Sequence, residues 1–336
     1  MATIFDVAKE AGVSKSTVSR VINKDKKVKE ETRLAVEEAI EKLNYSPSFM
    51  ARAIRTRKTH TIALVVPEYT NIFYMEMFRG VEDIALKHGY MVLVCNTERH
   101  AMSEIEYINE LLKRNIDGII YNTYRMNDKM SDYLQEISEK LPIVYMNRVN
   151  DSQQSSSCVY TDGFSSTRKA VRYLYEKGHK KLGYVLNSED VSIIEDRYQG
   201  FVKGLEDCGI PLEEKWIYRV QRENEPDYIR LGQDAARYYA SLSERPDAIM
   251  AAIDMIGIGC VREFQNNGIR VPEEISLVGF DNVFLGALIE PPLTTIGQPI
   301  RKMGQAAAEL LIEKIDHPEV NREIVFDGKL IVRGTT

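Results

Sequence analysis

Residues 4–23 read IFDVAKEAGVSKSTVSRVIN, a pattern of two short amphipathic helices around one tight turn. Gly12 stands where the first helix would end, because glycine adopts a left-handed backbone at little cost. Apolar residues recur at helical spacing on both sides of this glycine: Ile4, Val7, Ala8 and Ala11 before it, and Val18, Val21 and Ile22 after it. Two such stripes one turn apart predict a helix-turn-helix.

The second of these helices has a polar face opposite its apolar stripe. This face carries small and basic hydrogen-bond donors: Lys15, Ser16, Ser19 and Arg20. Such side chains are suited to base edges in the major groove and to the flanking phosphates. A merely solvated helix face would have a similar composition. The surrounding helix-turn-helix pattern favours DNA contact over that alternative.

Positive charge is concentrated at the amino-terminal end of the chain. The 336 residues carry a formal net charge of −6, yet residues 1–60 contain 13 Lys and Arg against 8 Asp and Glu. The remainder of the chain is therefore strongly acidic. This asymmetry is typical of a head that meets phosphates and a soluble body that does not bind nucleic acid.

Composition and motifs argue against several other classes of protein. The four cysteines are scattered without a Cys-x-x-Cys pair or a nearby His cluster, so we expect neither disulfides nor a metal site. The sequence shows no signal peptide and no run of about 18 apolar residues, so we expect a cytoplasmic protein without membrane contact. Patterns typical of hydrolases and nucleotide-binding loops are absent, and the segment from Gly257 to Gly259 lacks the third glycine of a dinucleotide fingerprint. We therefore expect no enzyme activity and no cofactor.

Two further helices are predicted before residue 60. An apolar stripe that includes Val36 and Ile40 predicts a third helix over 31–43, completing a small all-α head over 1–46. Ser46 and Pro47 then provide the N-cap and first position of a short helix. A helix of about eight residues is marginal in isolation. Residues 47–60 are therefore interpreted as a hinge helix and linker that need a partner to fold.

From Thr61 onward, buried strands alternate with amphipathic helices, which is typical of a parallel sheet covered on both faces. The pattern occurs twice, with corresponding glycines 120 positions apart, such as Gly80 and Gly200. Residues 61–336 are thus predicted to form two doubly wound parallel-sheet lobes of the α/β class with a cleft between them. Ligands of such sheets bind beyond the carboxyl ends of the strands, where Asn147 and Asp281 would lie, one from each lobe.

Four ordered stretches resemble landmarks of the lactose-repressor (LacI/GalR) family of bacterial transcription regulators. They span nearly the whole chain and are the run over 6–23, residues 45–52, the sequence VGFDN at 278–282, and PLTTI at 292–296 with Gln298 and Pro299. The resemblance implies a homodimer whose heads bind a pseudo-palindromic operator in double-stranded DNA. It also implies a body similar to periplasmic sugar-binding proteins, with a small-molecule effector, a carbohydrate or related metabolite, in its cleft.

The resemblance assigns DNA contacts residue by residue. Lys15, Ser16 and Arg20 would read bases, while Thr17, Ser19, Asn23 and Tyr45 would contact phosphates or the DNA backbone. In the short hinge helix, Ala51 would contribute to the contact and Ile54 would act as the wedge between central base pairs. Relatives usually carry Leu at that wedge, and Ile is shorter and stiffer at χ1.

The resemblance also assigns effector contacts. In the first lobe these are an aromatic wall of Phe73 and Tyr74 with the polar residues Asn147 and Asp162, and in the second lobe they are Arg197, Asp254 and Asp281. The chain would cross between lobes near Thr161, Glu290 and Asn321. The first lobe would then comprise about 61–160 with 291–321, and the second about 161–290 with 322–336.

Purely structural roles would also account for several of these site residues. Arg197 and Asp281 would also suit a structural ion pair, and Phe73 with Tyr74 would also suit a core. Three positions that are polar in many relatives are apolar here, namely Val191, Ile193 and Ile253. This depletion indicates a smaller or more apolar ligand than a hexose, or control by a protein corepressor or by no effector. An α/β enzyme fused to a DNA-binding head is a third hypothesis, which lacks a recognisable nucleophile.

Overall fold

A computed structural model of the chain describes residues 2–22, 25, 27–45, 58–68, 71–97, 101–122, 128–147, 156–186, 192–219 and 227–336. The chain divides into two compact units, residues 1–60 and 61–336. Most of the predicted hinge helix, including Ala51 and Ile54, lies outside the described residues, as do Asn23 and Val191.

Over its described residues, the first unit forms the helices α1 (Ile4–Glu10), α2 (Lys15–Ile22) and α3 (Glu30–Lys42). A capping box begins α1, because the Thr3 side chain accepts from the Asp6 amide and the Asp6 carboxylate accepts from the Thr3 amide at 2.8 Å. Gly12 turns the chain with φ +66°. The three helices share one core around fully buried valines: Val7, Val18 and Val36. The predicted helix-turn-helix head is confirmed.

In the second unit, the first lobe is built on a six-stranded sheet of parallel strands. The strands are β1 (Thr61–Val66), β2 (Met91–Asn96), β3 (Gly118–Tyr121), β4 (Ile143–Tyr145), β5 (Cys158–Asp162) and β11 (Glu323–Asp327). Their spatial order is β11-β5-β4-β3-β1-β2. The helices of this lobe are α4 (Ile72–Lys87), α5 (Ala101–Lys113), α6 (Asp128–Ser138) and α11 (Ile300–Asp316).

The second lobe is built on a second six-stranded sheet, which is parallel except for β12. Its strands are β6 (Leu182–Val185), β7 (Ile217–Tyr218), β8 (Ala248–Ala251), β9 (Ser276–Asp281), β10 (Thr294–Gly297) and β12 (Lys329–Ile331), in the order β12-β10-β9-β8-β6-β7. Its helices are α7 (Gly163–Glu176), α8 (Ser192–Asp207), α9 (Tyr228–Ser241) and α10 (Asp254–Asn266). The predicted pair of parallel-sheet lobes is confirmed.

Strand β1 shows why both faces of these sheets are apolar. Alternate residues point to opposite faces of a strand. Ile62 and Leu64 belong to the core that contains α4 and α11, whereas Ala63 and Val65 belong to a separate core under α5 and α6. A strand with helices on both faces therefore appears in the sequence as a continuous apolar run rather than an alternating one.

The chain crosses between the lobes at three places: between Asp162 and Gly163, between Gly297 and Ile300, and at Gly328. The first crossing lies close to the predicted position near Thr161. The other two lie later than the predicted positions near Glu290 and Asn321, because β10 pairs with β9 and β11 pairs with β5. The lobe segments 291–321 and 322–336 are accordingly corrected to 300–327 and 329–336, and 291–297 belong to the second lobe. The Pro291-Pro292 break and the short exposed strand β11 concealed these pairings from the sequence.

Close helix packing in the second lobe generates a stability prediction. A Cβ on Gly259 would lie 2.1 Å from the Ile229 carbonyl oxygen, whereas a Cβ on Gly257 would first meet the end of the Leu293 side chain at 3.1 Å. Backbone cannot give way as a side-chain terminus can, so Gly259→Ala should destabilise the lobe by about 1–3 kcal/mol. Gly257→Ala on the same helix should cost less, since alanine also favours the helix. Chemical unfolding followed by fluorescence of Trp216, the only tryptophan, measures both; equal stabilities would contradict the packing argument.

Candidate DNA-binding face and effector cleft

The outer face of α2 presents the predicted base-reading residues to solvent. Lys15, Ser16 and Arg20 are exposed, and Thr17 and Ser19 are half-buried. Ser14, which the sequence analysis did not select, precedes the helix and organises its first turn. Its Oγ accepts from the Thr17 amide at 3.2 Å and lies 2.7 Å from the Ser16 Oγ. A serine directly before a predicted helix is the signal that identifies such a cap.

Two aromatic residues of the head lie in different environments, one beside this face and one against the core. Phe5 on α1 is 64% exposed, and the Lys15 Nζ lies 4.7 Å from the centroid of its ring. Phe5 falls outside the apolar stripe of α1, so the sequence pattern does not identify it. Tyr45 is half-buried against the core of the head, and its amide donates to the Ile40 carbonyl at 3.0 Å. Its backbone is therefore fixed relative to α3.

In the second lobe, Arg197 on α8 and Asp281 at the end of β9 meet in a buried environment. They are 6% and 5% exposed, and the Arg197 Nη2 lies 3.6 Å from the Asp281 Oδ1. The Arg197 Nη1 donates to the Ala252 carbonyl at 2.6 Å, and its Cζ lies 3.7 Å from the centroid of the Phe280 ring. Among the described residues, the Arg197 Nε has no hydrogen-bond partner. The guanidinium is thus oriented by its surroundings while one donor stays unused.

The backbone that carries Asp281 has an unusual conformation. Asp281 and Asn282 have φ values of +123° and +62°, a region that residues other than glycine rarely adopt. The Asn282 amide donates to the Thr295 Oγ1 at 3.3 Å, and the Arg333 Nη2 donates to the Asn282 Oδ1 at 2.5 Å. These bonds hold the turn in place. Arg333 was not selected from the sequence, because only the fold brings the end of the chain to this turn.

Asp254 lies beneath the same turn. It is fully buried; its Oδ1 accepts from the Thr295 Oγ1 at 2.5 Å and its Oδ2 from the Val283 amide at 2.8 Å. Both carboxylate oxygens are engaged within the second lobe, so Asp254 could contact a ligand only by giving up these bonds. The resemblance predicted an effector contact at this position, whereas the geometry gives Asp254 the role of fixing the turn that follows β9.

The predicted polar residues of the first lobe also lie at strand ends. Asn147 follows β4, and its Nδ2 donates to the Asn122 Oδ1 at 3.4 Å. Asn122, which the sequence analysis missed, directly follows β3, and this position is the signal that could have identified it. Asp162 ends β5 and caps α7, because its Oδ1 accepts from the Ser165 amide at 2.8 Å. The structure therefore places Asn122, Asn147 and Asp162 at the carboxyl edge of the first sheet.

The predicted aromatic wall divides into two different environments. Phe73 and Tyr74 begin α4 with their ring centroids 5.2 Å apart in an edge-to-face arrangement. Tyr74 is buried in the core of the first lobe, whereas Phe73 is only partly buried against it. Of this pair, Phe73 is the one with surface left for a ligand. Ile253 is buried and precedes α10, while the side chain of Ile193 lies outside the described residues.

The described residues contain no group of three or more His, Cys, Asp or Glu side chains that could hold a metal ion. Within the same parts of the chain, no helix is both long enough and apolar enough to cross a membrane.

Comparisons with known proteins agree with both units. Residues 3–48 match the family model "Bacterial regulatory proteins, lacI family", and residues 171–336 match "Periplasmic binding protein-like domain". The chain is 35% identical over 324 residues to the HTH-type transcriptional repressor PurR of Aliivibrio salmonicida (strain LFI1238), covering 96% of this chain and 95% of that protein. The chain belongs to the LacI family. It is a DNA-binding transcriptional regulator of that family.

Solved structures of LacI-family proteins extend the likeness to the whole chain. A lac repressor dimer bound to operator and the anti-inducer ONPF has a TM-score of 0.88 at 25% identity, with 99% of this chain and 98% of that chain covered. The transcriptional regulator CelR in complex with cellobiose has a TM-score of 0.75 at 28% identity, with both chains fully covered.

Burial of Asp254 and Asp281 generates a pH prediction. Burial raises the pKa of both carboxyls above the ordinary aspartate range. For Asp281, the nearby charge of Arg197 lowers the pKa and repulsion from Asp254 raises it. The folded state then binds more protons than the unfolded state, so stability should fall as pH rises from about 4 to about 7. Asp281→Asn should flatten this slope in denaturant titrations followed by Trp216 fluorescence.

The control for this pH prediction is Asp207→Asn. Its hydrogen bond with Arg168 lowers the pKa of Asp207, so its titration falls below the tested range. The Asp207→Asn slope between about pH 5 and about pH 7 should match wild type. A slope unaffected by Asp281→Asn would show that burial of this carboxyl does not control stability.

Proposed function

We propose that this LacI-family regulator is a homodimeric repressor that binds a pseudo-palindromic operator and is controlled by a small polyhydroxylated effector, a carbohydrate or related metabolite. The observation that carries the effector assignment is the buried pair of Arg197 and Asp281, whose guanidinium keeps an unused Nε. A sugar hydroxyl both donates and accepts a hydrogen bond. One hydroxyl could therefore donate to the carboxylate while another accepts from the guanidinium.

Several observations support this ligand class over a purely structural ion pair. The contact between Arg197 and Asp281 is 3.6 Å, longer than a hydrogen bond, so the pair has not used its full bonding capacity. The Phe280 ring beneath the guanidinium holds its plane in a fixed orientation. In the first lobe, Asp162 ends a strand and Asn147 follows one, at the carboxyl edge of the sheet. The relative CelR was solved with cellobiose. We therefore assign the effector contacts to Arg197 and Asp281, joined by Phe73, Asn147 and Asp162.

The DNA-binding part of the proposal rests on the exposed face of α2. Lys15, Ser16 and Arg20 would contact bases, with Thr17 and Ser19 at the backbone, and two heads would read the two half-sites of the operator. We extend this role to Tyr45 and, outside the described residues, to Asn23, Ala51 and Ile54. The relatives named as repressors support repression rather than catalysis, and we assign no enzymatic role. A partner that is operator DNA places the action of the protein in the cytoplasm.

Removal of one proposed base contact should weaken operator binding selectively. Arg20→Ala should reduce affinity for the DNA fragment that wild type selects from a genomic library by about tenfold or more, since a good base contact contributes about 1–3 kcal/mol. The matched control is Arg33→Ala on α3, where Glu30 and Glu37 already neutralise the guanidinium. Unchanged affinity and selectivity for Arg20→Ala would remove this residue from the reading face.

A sugar should stabilise the second lobe through Arg197. Present at about 100 times its dissociation constant, a bound sugar adds about 2.7 kcal/mol, which corresponds to a melting-temperature increase of roughly 5–10 °C. Trp216 is 4% exposed in this lobe, so its fluorescence reports the transition. We expect one member of a panel that includes cellobiose to produce the shift in wild type.

Arg197→Lys should abolish this stabilisation, because lysine lacks the planar fork. The control, Arg172→Lys on the exposed side of α7, should retain it. If no sugar shifts wild type while operator binding persists, control would instead come from a protein corepressor or from no effector.

A further inference from the structure

Gln298 lies in the second crossing between the lobes. It follows β10, which belongs to the second sheet, and precedes α11, which packs across the first sheet and against α4. The residue is 9% exposed. Any change in the angle between the lobes has to pass through this segment and the two other crossings. From the sequence alone, Gln298 is recognisable only as part of a landmark motif.

Gln298 donates two hydrogen bonds to Asp281, one to its backbone and one to its side chain. Its amide donates to the Asp281 carbonyl oxygen at 3.3 Å, and its Nε2 donates to the Asp281 Oδ1 at 2.7 Å. This Oδ1 is the same oxygen that faces the Arg197 Nη2 at 3.6 Å. One carboxylate oxygen is therefore shared between the crossing segment and the guanidinium proposed to bind the effector.

The backbone of Asp281 has little freedom to absorb a change at that oxygen. Arg333 holds the Asn282 side chain, Thr295 accepts from the Asn282 amide, and Asp254 accepts from the Val283 amide. A new bond to Asp281 must consequently be accommodated by its carboxylate and by the groups that already bind it.

The other two crossings are joined to each other instead. The Ser166 Oγ donates to the carbonyl oxygen of Asp162 at the first crossing, at 2.5 Å. The same Oγ accepts from the amide of Gly328 at the third crossing, at 3.0 Å. Ser166 thus ties the first crossing to the third, whereas Gln298 ties the second crossing to Asp281.

We propose that Gln298 is the positioning residue that transmits the state of the Asp281 carboxylate to α11 and hence to the first lobe. The inference rests on the proposed function, because it assigns the route by which an effector bound at Asp281 would act. An effector hydroxyl that competes for Oδ1 leaves the buried Gln298 amide without its acceptor, which is unfavourable. Gln298 must then move, and Pro299 and the first turn of α11 move with it. The two discrete hydrogen-bonding arrangements form the two-state element that effector binding biases.

A double-mutant cycle tests this route without an effector or DNA. Asp281→Asn removes the charge from the shared carboxylate, and the readout is amide hydrogen exchange at residues 303–308 in the full chain. This window begins with the Met303 amide, which donates to the Pro299 carbonyl at 3.0 Å. We expect Asp281→Asn to change exchange rates there by about fivefold, because a charge-assisted hydrogen bond from Gln298 becomes a neutral one, and to have no effect once Gln298→Leu is present.

Gln305→Leu provides the matched control, since Gln305 also donates its side-chain amide to an aspartate, Asp83, on the surface of the first lobe. In that background the effect of Asp281→Asn should persist. If Gln298→Leu does not fold by Trp216 fluorescence, Gln298→Asn replaces it, because asparagine retains the amide but draws it back by one methylene. An Asp281→Asn effect that survives both Gln298 variants, or one that is absent at 303–308 in the wild-type background, would overturn the inference.

The outcomes remain separate from those of the proposed function. Failure of wild type to bind any operator or sugar would end the proposed function while leaving the exchange cycle measurable. An absence of coupling in the cycle would end this inference and leave operator binding unaffected.

Discussion

The buried carboxylate of Asp281 in the second lobe is only incompletely paired with Arg197. Asp281 is buried at the end of a central strand, where a charge requires partners, yet Arg197 approaches it only to 3.6 Å. The rest of the carboxylate's environment keeps it there: Gln298 binds its Oδ1, and Arg333, Thr295 and Asp254 hold the positive-φ turn that follows. A protein selected for stability alone would have closed this pair or replaced it with apolar side chains. An ion pair that stays open in this way is consistent with a site that a ligand completes.

In the DNA-binding head, by contrast, the charged side chains of the proposed site are exposed to solvent. Its three helices bury their own small core, and the exposed residues proposed to contact DNA are not part of that core. Lys15, Ser16 and Arg20 stand in solvent, where charged and polar side chains carry little desolvation cost before binding. The body, in contrast, places its functional charges in the interior, where electrostatic interactions are stronger. In the proposed function, the exposed face provides affinity for phosphates and bases, and the buried pair provides sensitivity to a small molecule.

Local patterns predicted the fold because each element is determined by nearby residues. The apolar stripes around Gly12 predicted the head, and the apolar strands from Thr61 predicted two parallel sheets. The contacts that were not predicted from the sequence join distant parts of the chain: β11 with β5, Arg333 with Asn282, and Gln298 with Asp281. Asp254 is a further residue whose contacts could not be predicted from nearby sequence. The family resemblance implied a ligand contact for it, but the Thr295 hydroxyl and Val283 amide that engage it became neighbours only through folding.

In the proposed function, occupancy of the Arg197 and Asp281 site and operator binding influence each other through one equilibrium. The most direct measurement is the dissociation constant of the sugar that stabilises wild type, determined by calorimetry with the full chain alone and with the chain saturated by its selected operator. Thermodynamic linkage predicts that operator changes the sugar affinity by the same factor by which the sugar changes operator affinity, typically about 5–150-fold. Identical sugar affinities with and without operator would show that the two sites are not coupled.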